Sequence, residues 1–312
     1  MPAKNTYLVT GGAGFIGSHI TDALLERNAG VHIIDDLSSG FLDNVPGEAE
    51  LHELDIRSSA TSDLVAKLAP DAILHQAAQM DVRRSTQDPR FDAEVNILGT
   101  LNLLENAAAA GVKKFLFAST GGAIYGEQSR FPATEDHPCR PLSPYGVAKL
   151  ACERYLYYFY KEHGLAATCL RYANVYGERQ NPHGEAGVVA IFLEKLLAGA
   201  PCRINGDGLQ TRDYIHVSDV VAANLAVLDR PEFEIFNVGT GVETSVVDLY
   251  QELAGILGTD QLPEYGPAMP GEQRRSCVDA GRLHRESGAS SPISLKEGFA
   301  RTAAWFQAHA TK

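Results

Sequence analysis

From Thr6 to Arg171, short apolar runs alternate with longer segments in which apolar residues recur every three or four positions. The runs Tyr7–Thr10, Val31–Asp35, Leu51–Leu54, Ala72–Gln76, Lys114–Ser119 and Ala167–Arg171 predict strands. Ile16–Glu26, Leu64–Ala69, Phe91–Ala110 and Tyr145–His163 predict helices. Such alternation predicts an α/β fold with a parallel sheet covered by helices on both faces, and right-handed crossovers make it doubly wound. After Arg171 the rhythm breaks into long polar stretches at Gly177–Gly187, Ala200–Gln210 and Leu262–Glu272. Helical patterns at Val188–Leu197, Val217–Leu228 and Leu295–Ala308 and an apolar run at Glu234–Val238 lie among them. The expectation is a cofactor-binding domain over 1–173 and a smaller α/β part over 174–312 that binds substrate, with some exchange of strands and helices between the two. Long loops in a compact protein commonly carry binding function.

Composition narrows the classes. The net charge of −12 comes without a basic run, so the electrostatic footprint of a nucleic-acid binder is missing. Five cysteines, odd in number and never in a C-x-x-C pair, argue against a disulfide framework and a zinc site and favour a reducing compartment. The ten histidines show no H-E-x-x-H or comparable spacing, so no metal site is expected. No apolar stretch approaches the roughly 18 residues of a membrane span, and the N-terminus lacks the apolar core of a signal peptide. The expected location is the cytoplasm.

The first chemical signal is TGGAGFIG, Thr10 to Gly17, between the first strand and the first helix. Glycines at 11, 14 and 17 allow a tight turn and close approach of a pyrophosphate to the helix start. The second strand ends in Asp35-Asp36, about 20 residues further on, where a carboxylate accepts both ribose hydroxyls of NAD and repels the extra phosphate of NADP. For Asp36 the alternative is a solvated turn residue. Asp55 follows the third strand, placed either to meet the adenine or to cap a helix. Asn96 interrupts an apolar helix face and needs partners, either in a loop or on the cofactor side of the sheet. Tyr145 and Lys149 are four apart, hence one turn apart on one helix face. An ammonium beside a phenol favours the phenolate and makes it a general base nearer neutral pH. The alternative is an amphipathic face with a snorkelling lysine.

Together with IIDDLSSG (Ile33–Gly40), LDIR (Leu54–Arg57), HQAAQ (His75–Gln79), NILGTLNLLE (Asn96–Glu105), FASTGGAIYGE (Phe117–Glu127), SPYGVAK (Ser143–Lys149), LRYANVYG (Leu170–Gly177), RDYIHVSD (Arg212–Asp219) and SLKEGFARTAAWF (Ser294–Phe306), these motifs run through nearly the whole chain. In that order the chain resembles an extended short-chain dehydrogenase/reductase with a Rossmann-type domain. Within that superfamily it is most similar to nucleotide-sugar epimerases of the UDP-glucose 4-epimerase type.

The resemblance implies a tightly held NAD that takes a hydride from C4 of a UDP-hexose while a tyrosinate takes the hydroxyl proton. The 4-keto sugar then turns, and the hydride returns to the other face. It assigns Tyr145 as the base, Lys149 as the group that lowers its pKa and binds ribose, and Thr120 or Ser119 as the hydroxyl on the reacting oxygen. Cofactor contacts fall on Gly11, Gly14, Phe15, Ile16, Gly17, Asp35, Asp36, Leu37, Ser38, Gly40, Asp55, Ile56, Gln76, Ala77, Ala78 and Asn96. Substrate contacts fall on Asn174, Val188, Arg212, Arg275 and Ser276, besides Thr120 and Tyr145; for Arg212 the alternative is a salt bridge to Asp213 or Asp219.

The chain also departs from the pattern. Gly121 stands where many epimerases place the catalytic serine, so the hydroxyl must come from Thr120 or be dispensable. Gly121-Gly122 offers no acid for the elimination that related 4,6-dehydratases perform. Met269 replaces the family's arginine before Pro270-Gly271-Glu272, leaving Arg274 or Arg275 to substitute. Ser276 falls where the family limits space at the sugar's C2, which implies entry of N-acetylhexosamines. A uronate epimerase or decarboxylase and a non-catalytic NAD-binding regulator are the other readings. The helices Phe91–Ala110 and Tyr145–His163, the latter with Tyr155, Tyr157, Tyr158, Phe159 and Tyr160, imply a homodimer, the alternative being core packing.

Overall fold

The computed structural model describes residues 4–183, 187–269 and 273–309. Pro270, Gly271 and Glu272 therefore lie outside the described residues, as does part of the Gly177–Gly187 stretch.

The first half is the alternation expected. Strands β1 (Thr6–Thr10), β2 (Gly30–Asp35), β3 (Glu50–Glu53), β4 (Ala72–His75), β5 (Lys114–Thr120) and β6 (Ala166–Tyr172) are joined by helices α1 (Phe15–Glu26), α2 (Ser59–Leu68), α3 (Val82–Gln87), α4 (Pro89–Ala93), α5 (Gly99–Ala109) and α6 (Pro144–His163). A π-helical stretch, Glu94–Leu98, joins α4 and α5 without a break. Then follow β7 (Asn174–Tyr176), α7 (Val188–Leu197), β8 (Arg203–Asn205), β9 (Thr211–His216), α8 (Val217–Ala226), β10 (Glu234–Val238), β11 (Glu243–Ser245), α9 (Val246–Leu257), β12 (Glu264–Gly266), β13 (Arg275–Ser276), α10 (Gly281–Ser287) and α11 (Leu295–His309).

Seven strands form one parallel sheet in the order β10-β6-β5-β4-β1-β2-β3. The order reverses between β1 and β4, and the crevice at the carboxyl ends of those strands is where a doubly wound sheet binds its ligand. One face packs Ile20 and Leu24 of α1 and Val220 and Ala223 of α8 against Val9, Leu74, Leu116 and Leu170. The other packs Leu103, Leu104 and Leu156 against Leu8, Ile73 and Phe115. Both α8 and β10 come from beyond residue 174, so the later part of the chain completes the first sheet. A third core, around Phe192, Leu249 and Phe299, holds α7, α9 and α11 together.

Two of the polar stretches hold strands. Arg203–Asn205 and Glu264–Gly266, read from sequence as irregular, pair in parallel. A second small sheet runs β11-β9-β13, with β7 on β9. Among the described residues no helix is long and apolar enough to cross a membrane. All five cysteine thiols are free.

Candidate active site

The glycine loop folds as a close-contact turn. Gly11 adopts φ +69°, and a Cβ there would stand 2.7 Å from the Ala77 amide nitrogen; at Gly17 it would stand 2.1 Å from the Gly11 carbonyl oxygen. Gly14 is the N-cap of α1 and has no side chain to satisfy the first amides, so these N–H groups remain for an anion. Phe15 and Ile16 open the helix, with Ile16 packed against the sheet core.

Asp35 and Asp36 part company. Asp35 is buried and its carboxylate accepts from Ala13 N and Leu37 N at 2.9 Å each, so it fastens the glycine loop to the end of β2. Burial pushes its pKa up. Asp36 is exposed at the crevice edge and accepts from Ser38 N and Oγ. Both carboxylates thus stand at the end of β2, Asp35 fixed against the glycine loop and Asp36 open to solvent. Leu37, at φ 54°, and Gly40 carry the chain back over Ala13.

Asp55 caps no helix: Ser58 does, accepting from Thr61 N, while Asp55 takes the Arg57 guanidinium, which holds its carboxyl below the usual range. Ile56 is buried beneath Gly99. At the end of β4, Gln76 and Ala77 donate their amides to the Thr10 carbonyl, and partly buried Ala78 follows. The buried Gln76 Nε2 has no partner within the protein. Asn96 takes the loop alternative, since its amide exchanges hydrogen bonds with the Gln79 backbone at 3.0 and 2.9 Å. A bare helix start, an exposed acidic strand end and an orphaned buried amide at one crevice fit a dinucleotide.

The Tyr145–Lys149 pair comes from α6. Ser143 caps the helix through Gly146 N and Pro144 occupies its first turn, which starts the helix just before Tyr145. A Cβ at Gly146 would stand 2.9 Å from the Ala123 carbonyl oxygen, so the helix start lies directly against the turn after β5. Lys149 is buried and its Nζ donates to the Ala118 carbonyl at 2.8 Å, 4.6 Å from the Phe117 ring centroid and 5.8 Å from that of Tyr145. Burial brings Lys149 down to about 8. The phenol of Tyr145 goes the opposite way from the sequence expectation. Burial first, and then the Asp92 carboxylate, hold it above its ordinary value.

Of the two hydroxyls, Ser119 is turned inward. Its Oγ donates to Glu153 at 2.7 Å, inside a buried pair in which Arg171 Nε and Nη2 bond the same carboxylate at 2.9 and 2.7 Å. Thr120 is partly exposed beyond it, and its Oγ accepts from Ala123 N. A Cβ at Gly122 would lie 3.7 Å from Asn174 Oδ1 and 3.9 Å from Thr120 Oγ1, so these two side chains flank one spot. At Gly121 a Cβ would meet Val278 at 2.9 Å and the Arg171 carbonyl at 3.1 Å, so a serine has no room there.

The small sheet gathers most of the remaining residues. Asn174 pairs with Tyr214, and Ser276 pairs with Arg212 directly across β13 and β9. Arg212 Nη1 donates to the Thr211 carbonyl at 2.8 Å. Its two proposed acidic partners are engaged elsewhere, Asp213 with Thr240 and Gly241 and Asp219 with Ile293 N. Arg275 forks onto Glu243 and stacks on Phe131, and Arg274 forks onto Asp207 at 2.8 Å. Val188 begins α7 and is partly buried in the third core.

Sequence reasoning missed three groups. Glu153 lies four residues beyond Lys149 on the same helix, a spacing that marks it as facing the same way. Asp92 is held by Gln79 and Asn96 and acts on the Tyr145 phenol through its charge, a proximity that no local pattern announces. The histidine spacing also missed a cluster, since His32, Glu50 and His52 bring donor atoms within 4.8 Å of one another from two paired strands.

The model of the NAD dependent epimerase/dehydratase family matches residues 7–239. A UDP-glucose 4-epimerase of Mycolicibacterium smegmatis is 45% identical over 306 residues, covering 96% of this chain and 98% of that one. The crystal structure of the Thermotoga maritima UDP-glucose 4-epimerase with UDP-glucose superposes with a TM-score of 0.95 at 46% identity, over 97% of this chain and 99% of that one. The Thermus thermophilus UDP-glucose 4-epimerase in complex with NAD gives 0.91 at 42%, over 97% and 99%. With a doubly wound sheet, a glycine turn fitted to a dinucleotide and a Tyr-Lys pair at its crevice, the chain belongs to the NAD-dependent epimerase/dehydratase family.

Proposed function

We propose that the chain interconverts the C4 epimers of a UDP-hexose, UDP-glucose and UDP-galactose first, with tightly bound NAD and no net redox change. The observation that carries this reading is the placement of Tyr145 and Lys149 against the Thr120 turn at the carboxyl end of β5, next to β4 at the switch point. The 45% identical epimerase relative supports it. NAD, when bound, supplies a reversible hydride acceptor.

Tyr145 removes and returns the proton of the C4 hydroxyl, with Thr120 Oγ hydrogen-bonded to the same oxygen. Lys149 spends one of its three donors on the Ala118 carbonyl, which leaves two that would serve a cofactor ribose while its charge favours the Tyr145 phenolate. Asn174, Arg212 and Arg275 grip the nucleotide and diphosphate from the small sheet, and Ser276 leaves space at the sugar's C2, so that the sugar alone turns. A planar guanidinium suits this task because its fork matches phosphate oxygens. Gly121 and Gly122 supply no acid, which favours epimerisation over dehydration.

We place the enzyme in the cytoplasm, in galactose metabolism, a reading supported by its five unpaired thiols. We also propose a homodimer through α5 and α6. Leu98, Val147, Tyr155 and Tyr158 are exposed there, whereas Phe159 belongs to the core and Tyr157 and Tyr160 lean on Phe233.

The test is to incubate the purified chain with UDP-galactose, without added cofactor, and follow the sugar protons by NMR. The wild type is expected to reach an equilibrium mixture with UDP-glucose. Tyr145→Phe is expected to retain NAD and lose at least about a hundredfold in rate. A Tyr145→Phe enzyme of near-normal rate overturns the assignment of the base.

A further inference from the structure

The sheet ends at β3, and on its outermost pair of strands three ligand-type side chains face one point. In the β2–β3 register His32 lies opposite Glu50, and His52 follows two residues along on the same face. His32 Nδ1 and His52 Nε2 are 3.2 Å apart, with the rings stacked at 5.5 Å and 21°. One Glu50 oxygen is 3.4 Å from His32 Nδ1, and the other is 3.7 Å from His52 Nε2.

These separations have a chemical meaning. A four-coordinate zinc ion with bonds of about 2.0–2.2 Å to nitrogen and carboxylate oxygen spaces its donors about 3.3–3.5 Å apart. The two histidine nitrogens stand close to this spacing, each with a different Glu50 oxygen beside it, and one ligand atom from each of the three side chains lies within 4.8 Å of the others, so a rotation of the exposed Glu50 carboxylate would bring one oxygen to both nitrogens. A hydrogen bond accounts for the histidine pair and ion pairing for each contact with Glu50; what points to an ion is that two imidazoles and a carboxylate, all ligand-type groups, converge on one point. Both imidazoles are mostly buried while Glu50 is 66% exposed, so an ion has an open approach and room for a water as fourth ligand. Two imidazoles and one carboxylate suit zinc-class transition ions rather than magnesium or calcium, which prefer all-oxygen shells.

We infer that His32, Glu50 and His52 form a binding site for a divalent transition-metal ion, zinc or one of its neighbours, on the outer edge of the sheet. The site is remote from Tyr145 and acts as a staple. It ties edge strand β3 to β2, whose ends carry Asp36 on one side and lead to Asp55 and Ile56 on the other. Among the described residues, the other close histidine–carboxylate pairs, His183 with Glu194 and His216 with Glu178, offer two donors each and hold an ion less firmly.

The test uses full-length, tag-free protein with its NAD, freed of metal with a chelator and titrated calorimetrically with zinc chloride. The expected result is one tight equivalent, weakened by more than about tenfold in His52→Ala and in Glu50→Gln. Cobalt(II) is expected to give the intense visible bands of four-coordinate N/O ligation, lost in both variants. Magnesium chloride is expected to give no heat. Zinc should raise the melting temperature of the wild type and leave that of His52→Ala unchanged. Glu50→Gln alters only an exposed side chain, so it remains informative if His52→Ala folds poorly. No tight equivalent in the wild type, or the same affinity in Glu50→Gln, overturns the proposal.

Discussion

Glu153→Gln is the substitution whose effect follows most closely from geometry. The side chain keeps its size and its acceptor for Ser119, but the Arg171 guanidinium is left as an uncompensated charge only 2% exposed. Arg171 Nη1 retains its bond to the Tyr125 hydroxyl at 2.9 Å, which leaves Nε and Nη2 facing a neutral amide that can serve one of them. Breaking a buried pair from one side costs about 3–5 kcal/mol, and at about 2–4 °C per kcal/mol for a chain of this size the melting temperature falls on the order of 10 °C. Removing both charges in Glu153→Leu/Arg171→Met should recover most of the loss, because an apolar pair of similar volume has nothing to desolvate. Asp207→Asn, which breaks the exposed pair with Arg274, is the internal control and should leave the melting temperature unchanged. The assay is calorimetric melting of all variants at one NAD concentration. Wild-type melting of Glu153→Gln, or a double variant no more stable than the single, would refute the reasoning.

Other consequences are separable. Gly17→Ala forces a methyl to within 2.1 Å of the Gly11 carbonyl and should abolish NAD retention, read from absorbance of the denatured protein's supernatant. His75, buried between Thr10 and Thr100, is pushed down to about 3 by its burial, so it stays neutral in the fold while the unfolded chain takes up a proton below about 6.5. Its contribution is therefore full above that pH and is lost progressively as pH falls toward the folded value. Between pH 7 and 5 the loss is about 2 kcal/mol, and His75→Gln should flatten that slope in urea titrations. Ser276→Tyr should abolish turnover of UDP-N-acetylgalactosamine while sparing UDP-galactose; unchanged activity on the N-acetyl sugar would reject Ser276 as the limit on substrate size.

The alternation up to Arg171 was legible because every strand there except the edge strand β3 is a mostly buried apolar run and every major helix spans several turns. Val188–Leu197 and Glu234–Val238 were legible for the same reason, but the place of Glu234–Val238 in the first sheet depends on tertiary packing. The two- and three-residue strands of the small sheets are too short to show a period. Helix α9 was missed although Ser245, three residues ahead of Asp248, is a capping signal and caps through Asp248 N at 3.0 Å. At the site, sequence named Tyr145, Lys149 and Thr120, but could not separate Ser119 from Thr120 or Asp35 from Asp36. Adjacent residues on a strand point to opposite sides, and only the sheet's surroundings decide which side is the crevice.

The central claim is that this site moves a hydride away from C4 and back, while Tyr145 handles only the hydroxyl proton. The direct measurement is NMR of UDP-galactose carrying deuterium at C4, incubated in ordinary water with the purified chain. The account predicts UDP-glucose that keeps the deuterium at C4 in full. Loss of the label to solvent, or no conversion with NAD supplied, would contradict it.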